Sequence, residues 1–222
     1  MNKYIRLLVM LFALQSLQVV AQDNGLILLK DSMPGINPDA QRLYNEGISA
    51  FESGQKEQAI AKFTECLQIE TKFASAFLNR GKIYLQLHQL DKAFTDAESY
   101  ISLNDSVAAG YGLKALVLAE LGKKEEAMIA INQAIKYKDN DPQLHYQRAI
   151  LAYELNQFDI ALSDMNEVIR LMPDYAAAYN DRGSVKRKLG KLDEAIADYQ
   201  LAIKKDTKLA FAYNNMGSTL RE

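Results

Sequence analysis

Residues 176–209 read AAAYNDRGSVKRKLGKLDEAIADYQLAIKKDTKL, with the small residue Gly183 at the eighth place and Ala195 at the twentieth. Stepping by 34 residues through the chain from Gly183 gives Gly47, Gly81, Ala115, Ala149 and Gly217. The same step from Ala195 gives Ala59, Ala93, Ala127 and Ala161. Two series of small residues on one interval mark a stack of repeated supersecondary units rather than a single globule.

Counted from Ala40, Ala74, Ala108, Pro142, Ala176 and Ala210, each repeat carries a bulky residue at position 4: Leu43, Phe77, Tyr111, His145, Tyr179 and Tyr213. Position 15 holds Gly54, His88, Gly122, Asn156 and Gly190. Glycine and asparagine suit the left-handed residue that closes a helix, so a first helix is expected to end there. Beyond it, Ala59, Ile60, Phe63, Cys66 and Leu67 fall at helical spacing, as do Ala195, Ile196, Tyr199, Ala202 and Ile203. The paired acids Glu125–Glu126 and Asp193–Glu194 open such second helices, where negative charge complements the helix dipole. Two helices approach closely only where side chains are small, and a lone hairpin cannot bury both apolar faces, so neighbours must stack.

These marks resemble the tetratricopeptide repeat, with a bulky residue at 4, small residues at 8 and 20, a large one at 24, a small one at 27 and proline near 32. The resemblance covers residues 40–222 and is fullest in the fifth repeat, through Tyr179, Gly183, Gly190, Leu192, Ala195, Tyr199 and Ala202. Departures are the lack of Trp at position 4, Pro173 as the one proline at position 32, and Tyr100 at position 27. The resemblance implies an all-α, right-handed superhelical solenoid of antiparallel hairpins, first helices lining a concave surface and second helices a convex one. Five full repeats are expected at 40–73, 74–107, 108–141, 142–175 and 176–209, with a half repeat at 210–222 as a capping helix.

Ahead of the array, Lys3 and Arg6 precede an apolar run from Leu7 to Val20, which reads as a signal peptide over residues 1–21 cleaved after Ala21. The run is too short and too interrupted by Gln15, Ser16 and Gln18 to span a bilayer, so an exported, periplasmic or secreted product without a stable membrane anchor is expected. Residues 22–39 are expected to form a leader, mostly loop, although Leu26 to Leu29 could instead pack on the first repeat and shield it.

Of the 222 residues, 49% are hydrophobic and 24% charged, enough to build a core. The formal charge of −2, which becomes −4 once Lys3 and Arg6 are removed, gives no broad field for phosphate backbones, and nucleic acid is not an expected partner. The single cysteine, Cys66, sits at position 27, where a thiol behaves as a compact hydrophobe. His88 falls at the turn position and His145 at packing position 4, far from metal-ligand spacing. No phosphate loop, nucleophile elbow or His-Glu-x-x-His pattern occurs, so neither catalysis, metal nor cofactor is expected.

The resemblance places the groove at positions 2, 5, 6, 9, 12 and 13. The partner-binding residues expected there are Tyr44, Asn45, Ile48, Phe51, Asn79, Lys82, Leu116, Tyr146, Tyr153 and Arg187. Position 6 carries Asn45, Asn79, Leu113, Gln147, Asp181 and Asn215, and carboxamides both donate to and accept from an extended backbone. Phe51, Tyr146 and Tyr153 offer contact area at low entropy cost. Family members that grip a terminal carboxylate need basic residues where this chain has Tyr44, Ile48, Asn79, Ala109 and Leu113, so that ligand is not expected. Groove charge runs from Glu52, Glu120 and Glu154 to Arg187 and Lys188, able to orient an extended partner. The expectation is a non-catalytic scaffold binding a protein or peptide, with glycan or small-solute binding as the alternative and end-to-end self-association through the lone last helix as a structural variant.

Overall fold

The computed structural model describes residues 35–103 and 108–222, and every regular element among them is an α-helix. The expected signal peptide and most of the leader, residues 1–34, lie outside the described residues. The chain divides between Lys123 and Lys124 into two compact units. In the first are α1 (Pro38–Glu52), α2 (Lys56–Ile69), α3 (Ala74–Gln86), α4 (Leu90–Leu103) and α5 (Ala108–Glu120). The second holds α6 (Lys124–Tyr137), α7 (Pro142–Glu154), α8 (Phe158–Leu171), α9 (Ala176–Lys188), α10 (Leu192–Lys205) and α11 (Ala210–Thr219). Neighbouring helices run antiparallel, each hairpin packing on the next within its unit.

Helix boundaries follow from local chemistry. Pro38 and Pro142 open α1 and α7, where the missing N–H costs nothing, and the side chains of Asn37 and Asp141 accept from the amides of Asp39 and Gln143 at 2.9 and 3.0 Å. α1 thus starts two residues before Ala40. At the other end of the first helices, position 15 is left-handed in all five cases: Gly54 at φ 77°, Gly122 at 76°, Gly190 at 75°, His88 at 56° and Asn156 at 59°. The next amide then returns to the carbonyl five residues back, as in Gln55 to Ala50 at 2.9 Å and Gln157 to Ala152 at 2.8 Å.

The small residues mark close contacts inside the hairpins. Ala59, Ala93, Ala127, Ala161 and Ala195 are fully buried. A Cβ at Gly47 would meet the Phe63 ring at 2.8 Å, and one at Gly183 would meet the Tyr199 ring at 2.7 Å. Position 8 is empty in these hairpins because an aromatic at position 24 fills the space. Cys66 is buried in the first core, and burial pushes its thiol up to about 12, which leaves it protonated near neutral pH.

A second periodic set ties three of the repeats to the one before. Arg80, Arg148 and Arg182, all at position 7, clamp Asp96, Asp164 and Asp198 at position 23 through two hydrogen bonds each, at 2.6–2.8 Å. Their remaining Nη1 donates to position 25 of the preceding second helix: Thr64 at 3.0 Å, Asn132 at 2.9 Å and Asn166 at 2.9 Å. One guanidinium therefore pins three helices, and its planar fork fits the task as an ammonium would not. Where the arginine is absent the chain improvises: Glu46 and Lys62 pair in reversed order at 3.2 Å, and Lys114 reaches Glu98 at 2.7 Å.

Among the described residues no helix is long and apolar enough to cross a membrane.

Candidate functional site on the first helices

Positions 4, 8 and 11 of a first helix turn toward its own second helix, which leaves positions 5 and 6 at the seam between successive first helices. Position 5 of one repeat meets position 6 of the next, an offset of 35 residues. In the first unit Tyr44 Oη accepts from Asn79 Nδ2 at 2.8 Å, while Leu78 and Leu113 fall into one apolar cluster. In the second unit Tyr146 Oη donates to Asp181 Oδ2 at 2.5 Å, and Asn215 Nδ2 donates to Asn180 Oδ1 at 3.0 Å. Asn180 Nδ2 also donates to Asp181 Oδ1 at 3.0 Å, joining the two pairs. A continuous polar row, Tyr146–Asp181–Asn180–Asn215, therefore crosses α7, α9 and α11.

The electrostatics of this row are unusual for a helix surface. Burial holds the Asp181 carboxyl above the ordinary carboxylate range, opposed by the hydrogen bonds from Tyr146 and Asn180. Burial, followed by the charge of Asp181, raises the Tyr146 hydroxyl well above its usual value. Tyr146 is accordingly the donor and Asp181 the acceptor. The Tyr146 ring meets Tyr175 edge-on at 5.7 Å, and Tyr153 meets Phe158 in the same manner at 5.6 Å. Arg187 is ion-paired with Glu222.

The residues expected from the sequence are thus placed unequally. Tyr44 and Ile48 are buried, and Tyr44 stacks on Phe73 at 4.7 Å, so both belong to the core of the first unit. Phe51 packs against the same core from its edge. Asn79 is buried against Tyr44, whereas Asn45 is partly exposed and accepts from Gln41 Nε2 at 3.1 Å. Lys82 and Leu116 are half-buried, and burial pulls the Lys82 ammonium below its usual value. Tyr146 is buried up to its hydroxyl, and Tyr153 and Arg187 are half-buried. Asn180 was not among the expected residues, and Asp181 and Asn215 stood only in the position 6 series; the offset of 35 between polar pairs was the signal that linked them.

His145 has both ring nitrogens engaged, Nδ1 with Asp164 at 2.8 Å and Nε2 with the Asp139 carbonyl at 2.7 Å, and serves its hairpin. His88 occupies the left-handed turn, 3.6 Å from Glu120. Among the described residues no three His, Cys, Asp or Glu side chains gather as metal ligands would.

Two family models, each described as a tetratricopeptide repeat, match residues 108–141, which hold α5 and α6, and residues 146–210, which run from within α7 through α10. This is a tetratricopeptide repeat protein. The tetratricopeptide architecture also matches solved structures along most of the chain. YrrB, described as a TPR protein with an unusual peptide-binding site, aligns with a TM-score of 0.66 at 19% identity, covering 79% of this chain and 91% of that one. A tetratricopeptide repeat protein from Parabacteroides merdae gives a TM-score of 0.67 at 22% identity, covering 82% of this chain and 72% of that one. At these identities the likeness is one of fold. In sequence, the small glutamine-rich tetratricopeptide repeat-containing protein 2 of Saccharomyces cerevisiae is 32% identical over 96 residues, which are 43% of this chain and 28% of that protein. The tetratricopeptide chain thus spans less than a third of that relative's length.

Proposed function

We propose that this chain is a non-catalytic scaffold, working outside the cytoplasm, that holds an extended segment of a partner protein against the first helices of its second unit. The tetratricopeptide fold supports a protein-interaction scaffold in general. What directs the reading to this face is the polar row Tyr146–Asp181–Asn180–Asn215, which offers amide donors and carbonyl and carboxylate acceptors at one repeat's spacing. An extended peptide carries a donor and an acceptor on every residue, and side-chain carboxamides satisfy both. The half-buried ring of Tyr153, also on α7, would supply apolar contact. The peptide-binding site named for YrrB, a neighbour in fold, supports the same reading.

The test is a random peptide library panned on the purified chain, followed by titration of selected peptides on wild type and on Asn180→Ala/Asn215→Ala. Peptides should be recovered, and the double variant should bind them at least tenfold more weakly with unchanged helicity. Undiminished binding would remove this face from the proposal. A parallel glycan array separates the peptide reading from glycan recognition. Export rests on residues 1–21, and amino-terminal sequencing of the secreted or periplasmic product should read from Gln22; an intact amino terminus would refute it.

A further inference from the structure

We infer that Asp181 is a subsite for one basic side chain of the bound peptide, an arginine guanidinium or a lysine ammonium. The inference rests on the peptide-binding reading above and narrows it to a ligand class.

Asp181 has two hydrogen-bond partners among the described residues, Tyr146 and Asn180, and both are neutral. The cations around it are committed elsewhere. Arg148 holds Asp164, Arg182 holds Asp198, Lys186 reaches Asp198 at 2.9 Å, and Arg187 pairs with Glu222. A carboxylate withdrawn from water without a cation is costly, whereas a cation brought by a guest would offset that cost at the moment of binding. An anionic guest would meet repulsion and a neutral one would leave the charge as it is.

Geometry favours the guanidinium. Tyr146 occupies Oδ2 and Asn180 occupies Oδ1, so each oxygen keeps a free lone pair. A planar fork can address two such oxygens together, while an ammonium addresses them as a point charge. Asp181 keeps part of its surface open to solvent, so the pair is reachable. The Tyr153 ring on the neighbouring first helix α7 is half-buried, and aromatic faces attract cations. Position 6 is Asn, Asn, Leu, Gln and Asn in the other repeats, which confines the preference to α9.

The experiment pans a random peptide library on the intact chain and on Asp181→Asn, then measures fluorescence anisotropy with the selected peptides. In the wild type, arginine or lysine should be enriched at one peptide position. Replacing that residue by citrulline or acetyl-lysine should weaken binding at least tenfold. Asp181→Asn, which keeps the shape and the ability to accept from Tyr146, should bind charged and neutral peptides alike. The citrulline arm needs no protein variant, so it stands even where the substitution perturbs folding. Peptides recovered without basic enrichment, or discrimination that survives in Asp181→Asn, would overturn the subsite while leaving peptide binding in place. Failure of both proteins to recover any peptide would overturn the peptide-binding reading and the subsite with it.

Discussion

The two units solve one problem in two ways. At the seam between successive first helices each places a tyrosine against the position 6 residue of the next repeat. In the first unit the Tyr44 hydroxyl accepts from Asn79 and both side chains are fully buried. In the second the Tyr146 hydroxyl donates to Asp181, a residue that is only partly buried. Exchanging a carboxamide for a carboxylate reverses the role of the tyrosine and turns a sealed joint into a charged one. The repeat therefore fixes where side chains meet, and the identity of a single residue decides whether the joint is neutral or charged.

The same contrast governs the arginine clamps and yields the largest expected effect. Asp96 has Arg80 as its cationic partner, whereas Asp164 also meets His145 and Asp198 also meets Lys186. Removing one partner of a buried pair costs about 3–5 kcal/mol when the other charge is left uncompensated. Arg80→Ala should approach that loss, and Arg148→Ala and Arg182→Ala should lose less. Urea unfolding of the three variants gives the ranking, and hydrogen exchange localises the loss to α3 and α4 in Arg80→Ala. Equal losses would show that His145 and Lys186 contribute nothing.

The glycines sharpen the comparison within one register. Gly183 sits under the Tyr199 ring, and alanine there overpacks the hairpin, for a loss of about 1–3 kcal/mol. A Cβ at Gly217 meets nothing within 4 Å, and alanine in a helix interior is worth about 0.5–1 kcal/mol over glycine. Gly183→Ala should therefore lower the melting temperature and Gly217→Ala should raise it. A loss at both would mean that position 8 is constrained by something other than the facing ring.

Asp181→Asn probes the charged joint by its pH dependence. Because burial raises the folded-state carboxyl above its unfolded value, the native state holds more protons between those two values, and stability falls as pH rises through that window. Below the ordinary carboxylate range the variant and wild type should melt alike. Above the window the variant should be the more stable by a constant margin. A difference that does not change with pH would show that Asp181 is ionised at no cost.

The hairpins were legible in the sequence because compact residues at positions 8 and 20 and a left-handed residue at 15 answer to local sterics, which leave few alternatives at each site. Tyr44 and Ile48 were legible as first-helix residues but not as core. Tyr44 is covered by Phe73, which stands in the connection between repeats and stacks on it at 4.7 Å, a contact that no helical period encodes, and Ile48 joins the same cluster. The polar row and the arginine clamps escaped for a related reason. They join residues 35 and 16 apart across different helices, and such offsets become visible only when two positions are compared rather than one. Arg80, Arg148 and Arg182 recur with Asp96, Asp164 and Asp198 on the repeat's own interval, so the signal was present in the sequence as a paired series.

The smallest expected effect lies at the turns, where each unit holds one residue other than glycine. His88 and Asn156 hold the left-handed position that Gly54, Gly122 and Gly190 fill elsewhere. For an ordinary side chain this conformation costs about 1–2 kcal/mol, while asparagine visits it with little penalty. Glycine adopts it freely but carries about 0.5–1 kcal/mol more chain entropy into the unfolded state. His88→Gly should thus gain up to about 1 kcal/mol, the exposed contact with Glu120 being too weak to reverse the sign, and Asn156→Gly should change almost nothing. If thermal melts show His88→Gly destabilised, the histidine contributes more at this turn than its backbone strain removes, and the pair with Glu120 becomes the contact to test next by Glu120→Gln.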